Sequence, residues 1–307
     1  MGHGHGHGHA AGRTHDRSRL RWVLALTLAA LVGQLVGAWW SGSLALLADA
    51  GHLATDAGAV LLALAAGYMA ARPATDRRTF GWHRAEVLAA LANAVVLLVV
   101  GGYLLVEGVR RLKDPPAVEA GPMLWFALLG LAANAVSLAL LHERRGESLN
   151  VRGAYLEVLS DLLGSVAVVV AAVVVLVTDA YWADPVATVL IALVIVPRAL
   201  LLAKEAAEVL LEATPSHVDP EELRRHLLEV PGVVDVHDLH VWTITSGLHS
   251  MSVHVSVEDR TLEREGVGPL LDRFSACVSS HFDIEHTTFQ VEPVAHRDHE
   301  ELGEPHP

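Results

Sequence analysis

The chain has 307 residues, 52% of them hydrophobic, and a formal net charge of −13. A mean hydropathy of +0.39 is too apolar for an ordinary soluble domain unless the apolar residues are gathered into spans. The charge is uneven: 20 of the 35 acidic residues but 6 of the 22 basic ones follow residue 205, which argues against nucleic acid as a partner and suits cation attraction. The single cysteine, Cys277, excludes an internal disulfide and any CxxC metal site.

Residues 1–19 open with alternating Gly and His, which cannot build a core, so a disordered tail is expected. It is either a loose metal-collecting segment or an expression tag. Nothing in it reads as a cleaved signal peptide, because the first apolar run is long and lacks a small-residue cleavage pattern. Six apolar runs follow, at about 21–40, 44–71, 86–109, 122–141, 153–178 and 183–203. Each is long enough to cross a hydrocarbon core of about 30 Å. Arg13, Arg17, Arg72, Arg77, Arg78, Arg84, Arg144, Arg145, Arg198 and Lys204 cluster on one side. That bias places both termini in the cytoplasm. A membrane domain over 20–205 is therefore expected, surrounded by lipid.

Past residue 205 the pattern changes. Asp219-Pro220 pairs an N-cap with Pro at the first helical position, opening a helix to Glu229. Strands are expected over 233–244 and 248–257, joined by a Ser246-Gly247 turn. Val253, Val255 and Val257 alternate there with Ser252, His254 and Ser256. A helix over about 262–281 and a strand over 286–291 complete an αββαβ two-layer α+β domain spanning 206–293. Residues 294–307 form a polar tail.

The second run carries His52 and Asp56, and the fifth carries Glu157 and Asp161. Side chains four apart share one helix face. At about 1.5 Å per residue, both pairs fall within a turn or two of the bilayer midplane. Ionisable residues there are costly and mark ion pathways. Together they offer one imidazole and three carboxylates, a four-coordinate set for a divalent metal. Asp49 either supports His52 from behind or caps the pathway. Gln34, Asn93 and Asn134 read as hydrogen-bond partners between helices.

Other functions fit less well. An intramembrane metalloprotease needs a metal-bound water and a base, and no HExxH is present. A pump driven by nucleotide needs GxxxxGK[ST], which is also absent. A metal sensor without transport could dispense with the midplane ligands, yet all four positions are metal-capable. No enzymatic activity and no organic cofactor are expected.

Several stretches carry a resemblance: SGSLALLADAGHLATDA in the second run, FGWHRAEVLAAL entering the third, NVRGAYLEVLSDLLGS in the fifth, and HDLHVWTITSG and HTTFQVEP further on. With these, the chain resembles the cation diffusion facilitator family over about residues 20–293, in its bacterial zinc, cobalt and cadmium efflux type. The resemblance implies six membrane helices, a cytoplasmic ferredoxin-like domain, a homodimer, a bacterial inner membrane, and export of zinc in exchange for protons. His52, Asp56 and Asp161 match the family's transport ligands. Glu157 stands where a His is expected, which tilts the site toward harder ions such as manganese or cobalt. A further loop site is not implied, because Arg78 and Trp82 occupy its positions; His83 reads as structural. His237, His254 and Glu292 fall where relatives bind regulatory zinc, with Gln290 a poor substitute for a fourth ligand. The Gly-His tail could add a ligand from the partner chain. His240, His249, His281 and His286 are weaker candidates. Arg84 and Glu212 match a charge interlock between the third helix and the segment leading to the soluble domain.

Overall fold

The computed structural model describes residues 8–142, 149–284 and 286–299; within them, the side chains of 8–24, 60, 63, 141, 142, 149–154, 156, 157 and 297–299 are not described. The chain divides into two compact units, residues 1–65 with 89–203 and residues 66–88 with 204–307. The second unit thus takes in the connection between the second and third helices as well as the C-terminal part.

Six long helices come first: α1 (Gly8–Ser41), α2 (Leu44–Ala70), α3 (Ala85–Lys113), α4 (Ala120–His142), α5 (Leu149–Thr178) and α6 (Ala183–Leu210). Among the described residues, five of them are long and apolar enough to cross a membrane, and α1 contributes the shorter apolar stretch Ala25–Ser41. Helical backbone begins at Gly8, inside the segment expected to be an irregular tail. Ala10, Ala11, Arg13 and Arg17 are good helix formers, and extending an existing helix costs far less than nucleating one. The four histidines that alternate with glycine begin at His3, and residues 1–7 lie outside the described residues.

Small residues let these helices approach closely, as packing in lipid requires. A Cβ at Gly108 of α3 would meet Val189 of α6 at 2.9 Å. The outward faces are apolar: Trp39, Leu61, Val106 and Val177 are exposed, which water would penalise and acyl chains accept. Polar atoms face inward. Asp184, in the first turn of α6, is fully buried and caps α2 from a distance. Its carboxylate accepts from the Leu44 amide at 2.9 Å, the Ala45 amide at 3.2 Å and the Ser43 hydroxyl at 2.5 Å. Those amides belong to a helix start, where no backbone acceptor exists.

In the second unit, α7 (Pro220–Leu228) opens as expected: the Asp219 side chain accepts from the Glu221 amide at 2.9 Å, and Pro220 stands in the first turn. The strands β1 (Val233–Thr245) and β2 (Leu248–Val257) pair antiparallel, and β3 (His286–Pro293) runs parallel to β2, giving the order β1-β2-β3. Val236, Val253 and Val255 point into a core closed by Leu227, Leu270 and Phe274. A final 3-10 turn covers Val294–His299.

The helix expected over 262–281 is two helices, α8 (Asp259–Glu265) and α9 (Val267–Phe282). Pro269 is the reason. In a continuous helix its ring would strike the Glu265 carbonyl four residues back. Gly266, at φ +73°, breaks the chain so that Pro269 falls in the first turn of a new helix, where its missing amide is harmless. The αββαβ order of the ferredoxin-like arrangement is otherwise kept, with α8 as an added short helix.

Candidate metal sites

In the first unit, α2 and α5 bring together three of the four expected intramembrane ligands. His52 Nε2 lies 3.0 Å from Asp161 Oδ1, and His52 Nδ1 lies 3.6 Å from Asp56 Oδ2. One ligand atom from each residue falls within 4.8 Å of the others, the span a single ion bridges. The side chains are 13%, 20% and 7% exposed for His52, Asp56 and Asp161. Glu157 sits one turn before Asp161 on α5, and its side chain lies outside the described residues. The local cause is simple: the i,i+4 spacing stacks His52 above Asp56, and Asp161 faces them from α5. Imidazole between two carboxylates is a borderline donor set with net negative charge, suited to a divalent cation.

Behind this cluster stands a polar network. Asp49, three residues before His52, is buried, and its Oδ2 accepts from Gln34 Nε2 of α1 at 2.5 Å and from Ser165 Oγ of α5 at 3.0 Å. Asn134 Nδ2 of α4 donates to Ser165 Oγ at 3.0 Å. Gln34 and Asn134 are thus the interhelical partners expected, and Asn93 is buried on α3. The hydrogen bonds of Asp49 run to α1 and α5, one turn from His52. Ser165 went unnoticed in the sequence. The signal available was its i,i+4 spacing from Asp161.

In the second unit, His237 of β1, His254 of β2 and Glu292 of β3 meet, again with ligand atoms within 4.8 Å. The register sets this up: His237 lies opposite His254, and Ser256 opposite Glu292. His237 Nε2 is 3.2 Å from Glu292 Oε1, and the two imidazole centroids are 5.3 Å apart. Glu292 is 3% exposed, and Ser256 Oγ and Gln290 Nε2 each donate to it at 3.3 Å. Gln290 therefore orients a candidate ligand. Asp235 Oδ2 is 3.2 Å from His237 Nδ1, the kind of outer carboxylate that fixes a ligating imidazole. A bulge in β1, with Asp238 at φ +50°, turns the chain between His237 and His240. His240 consequently stands at the surface beside Asp238 at 3.0 Å, outside the cluster.

The remaining candidates scatter. Arg78 stacks on Trp82, its guanidinium 3.6 Å from the ring centroid. His286 packs edge-on against Phe80 at 5.3 Å, and with His83 lines a cavity of about 170 Å³. His249 bonds Thr243 Oγ1 at 3.1 Å and abuts His217. Burial and the neighbouring His217 push its pKa down from 6.5. His281 packs beside His226. Arg84 pairs with Glu212 at 2.8 Å, both partly exposed.

Apolar helices that enclose an imidazole and carboxylates, followed by a small α/β domain, define an integral membrane protein built to carry cations. Comparison with known proteins narrows the class. Residues 20–211 match the cation efflux transmembrane domain, and residues 215–294 match the cytoplasmic domain of cation efflux proteins. The chain belongs to the cation efflux family, whose members are transporters and not enzymes. It is 44% identical over 292 residues to the metal cation efflux system protein CzcD of Cupriavidus metallidurans, covering 95% of this chain and 90% of that one. It is 40% identical to the zinc transporter ZitB of Escherichia coli, over 91% of this chain and 88% of that one. It is 34% identical to the cadmium, cobalt and zinc/H(+)-K(+) antiporter of Bacillus subtilis, over 93% of each. The family resemblance carried by the sequence motifs is borne out.

Proposed function

We propose that this chain is a secondary transporter that exports a divalent cation, zinc first, from the cytoplasm in exchange for protons. The observation that carries the reading is the meeting of His52, Asp56 and Asp161 between two membrane helices. With Glu157 as the fourth ligand, these residues bind the ion in transit. Proton coupling follows from the same chemistry. Ligands bind metal only when deprotonated, so protons and metal compete for one set of atoms. Imidazole, with a reference pKa of about 6.5, is the group best placed to exchange the two near neutrality. The named relatives that carry zinc, or exchange it for protons, support the choice of ion and counter-ion.

His237, His254 and Glu292 form a second, regulatory zinc site in the cytoplasmic domain. The chain works as a homodimer in a bacterial inner membrane, with both termini in the cytoplasm. Its domains run from a His-rich tail (1–19) through the transporting part (20–205) to the dimerising domain (206–293) and a polar tail (294–307). A second reading, a manganese- or cobalt-preferring exporter, is favoured by the carboxylate of Glu157 in place of imidazole.

The test is zinc uptake into proteoliposomes driven by an imposed pH gradient. Asp161→Ala, which removes charge and geometry together, should abolish uptake, and an uncoupler should stop uphill movement. Full transport by Asp161→Ala would overturn the site. Uphill transport that survives the uncoupler would overturn the coupling.

A further inference from the structure

The connection from α2 to α3 carries a charge that neither candidate metal cluster uses. Residues 71–84 hold Arg72, Arg77, Arg78 and Arg84 against a single acid, Asp76. Glu212 takes Arg84. Among the described residues, no carboxylate pairs with Arg72, Arg77 or Arg78, and all three are exposed. The turn that carries them is fixed. The Thr75 and Arg78 backbones exchange hydrogen bonds of 3.1 and 2.9 Å, and the Gly81 amide donates to the Arg78 carbonyl at 2.9 Å. The Arg78 guanidinium rests over the Trp82 ring, and a guanidinium held on an aromatic face keeps its edge N–H groups for an acceptor. Arg77, Arg78 and Arg84 line a cavity of about 580 Å³ together with Glu212, Trp82 and Leu88, a volume typical of ligand sites. Three positive groups there face one negative. Leu88 fixes the depth of the cavity. It stands one turn into α3, where the apolar run begins, and is 56% exposed. A cavity that reaches from arginines beyond the helix ends to an outward leucine at the start of a membrane span lies at the level of lipid headgroups.

We propose that this cavity binds the headgroup of an anionic phospholipid, with the phosphodiester held by Arg77 and Arg78 and the acyl chains lying along Leu88. Guanidinium is the side chain best matched to phosphate oxygens. The same charge repels a divalent cation, so the transported ion is kept out. A soluble phosphate would find the arginines but gain nothing from Leu88. The bound lipid ties the α2–α3 connection to the bilayer surface. Basic residues beside a span also set its orientation during insertion. That role needs charge alone and gives the folded protein no preference among lipids, so lipid preference separates the two.

The intact protein in detergent micelles is titrated with dioleoylphosphatidylglycerol or dioleoylphosphatidylcholine, and bound lipid is counted by native mass spectrometry. Each arginine near an anionic headgroup is worth about fivefold in affinity, so phosphatidylglycerol should bind about 25-fold more tightly than phosphatidylcholine. Arg77→Gln/Arg78→Gln should erase the preference. The change at Arg78 also removes the stack on Trp82. Arg77→Gln alone leaves that stack and should still weaken phosphatidylglycerol about fivefold, with phosphatidylcholine unchanged. Arg110→Gln, in the last turn of α3 and 80% exposed, should keep the full preference. Excess inorganic phosphate should not displace the lipid. Equal binding of the two lipids by the parent protein would overturn the proposal, as would an undiminished preference in the two Arg77 variants. An equal loss in Arg110→Gln would also overturn it, by showing a general surface charge in place of a site. So would displacement by phosphate, which would make the ligand a soluble oxyanion.

Discussion

Asp49→Ala is the most informative change near the proposed transport site. The Asp49 carboxylate receives two interhelical hydrogen bonds on one oxygen, from Gln34 and from Ser165. In a water-soluble core, stranding both donors would cost about 1–3 kcal/mol each. Within a membrane the unfolded helices find other partners, and such bonds average about 0.6 kcal/mol with a maximum near 1.7. Two bonds therefore put the loss at about 1–3 kcal/mol. Asp49→Asn separates charge from hydrogen bonding. Both donors converge on Oδ2, so an amide carbonyl in its place keeps both bonds and loses only their charge assistance, for a cost of about half as much. Stability is read from SDS-induced unfolding in mixed micelles. Transport is read in proteoliposomes, where Asp49→Ala should slow zinc movement because Ser165, one turn beyond Asp161, loses a partner. Equal losses for the Ala and Asn variants would refute the hydrogen-bonding account in favour of charge. A neutral Asp49→Ala would refute it altogether.

Other consequences are as direct. Glu157→His should narrow competition against zinc toward cadmium and away from manganese and cobalt; identical competition profiles would show that residue 157 does not face the ion. Arg84→Glu and Glu212→Arg should each alter dimerisation or transport rate, and the double reversal should restore it. The pair is partly exposed at 38% and 59%, so its direct worth is only about 0–1 kcal/mol and rescue is the decisive readout. Acidification should weaken the cytoplasmic domain through His249. Its folded pKa lies below 6.5, so the folded state resists the proton that the unfolded chain accepts. Stability is then intact above 6.5 and falls as pH drops below it. His249→Gln should flatten that part of the profile of domain unfolding against pH.

The membrane helices were legible because apolar runs of spanning length admit few other structures, and their ends agree with the structure within a few residues except at the N-terminus and at the end of the sixth, where the helix runs on to Leu210. The i,i+4 pairs were equally plain. What the sequence could not supply was which helix faces which: Asp161 meeting His52 is a tertiary fact, as is Asp49 meeting Gln34 and Ser165. The strands followed from the alternation of Val253, Val255 and Val257 with polar residues. The split at Gly266 was misread although its cause, Pro269, lay in plain view. A continuous helix over 262–281 would set the Pro269 ring against the Glu265 carbonyl, and the chain breaks at Gly266 instead. Asp184 drew no notice, since a helix cap supplied from 140 residues away leaves no local pattern.

That remote cap has a bearing on how the protein is made. At about 5–20 residues per second, the ribosome needs roughly 10–30 s to reach Asp184 after completing the start of α2. During that interval the Leu44 amide waits for its acceptor. Helix α2 therefore enters the bilayer before its own beginning is secured, and locking it is an event of late assembly, when α6 arrives. A chain truncated before residue 184 should insert α2 and still fail to hold it in register, leaving an intermediate for membrane quality control to recognise.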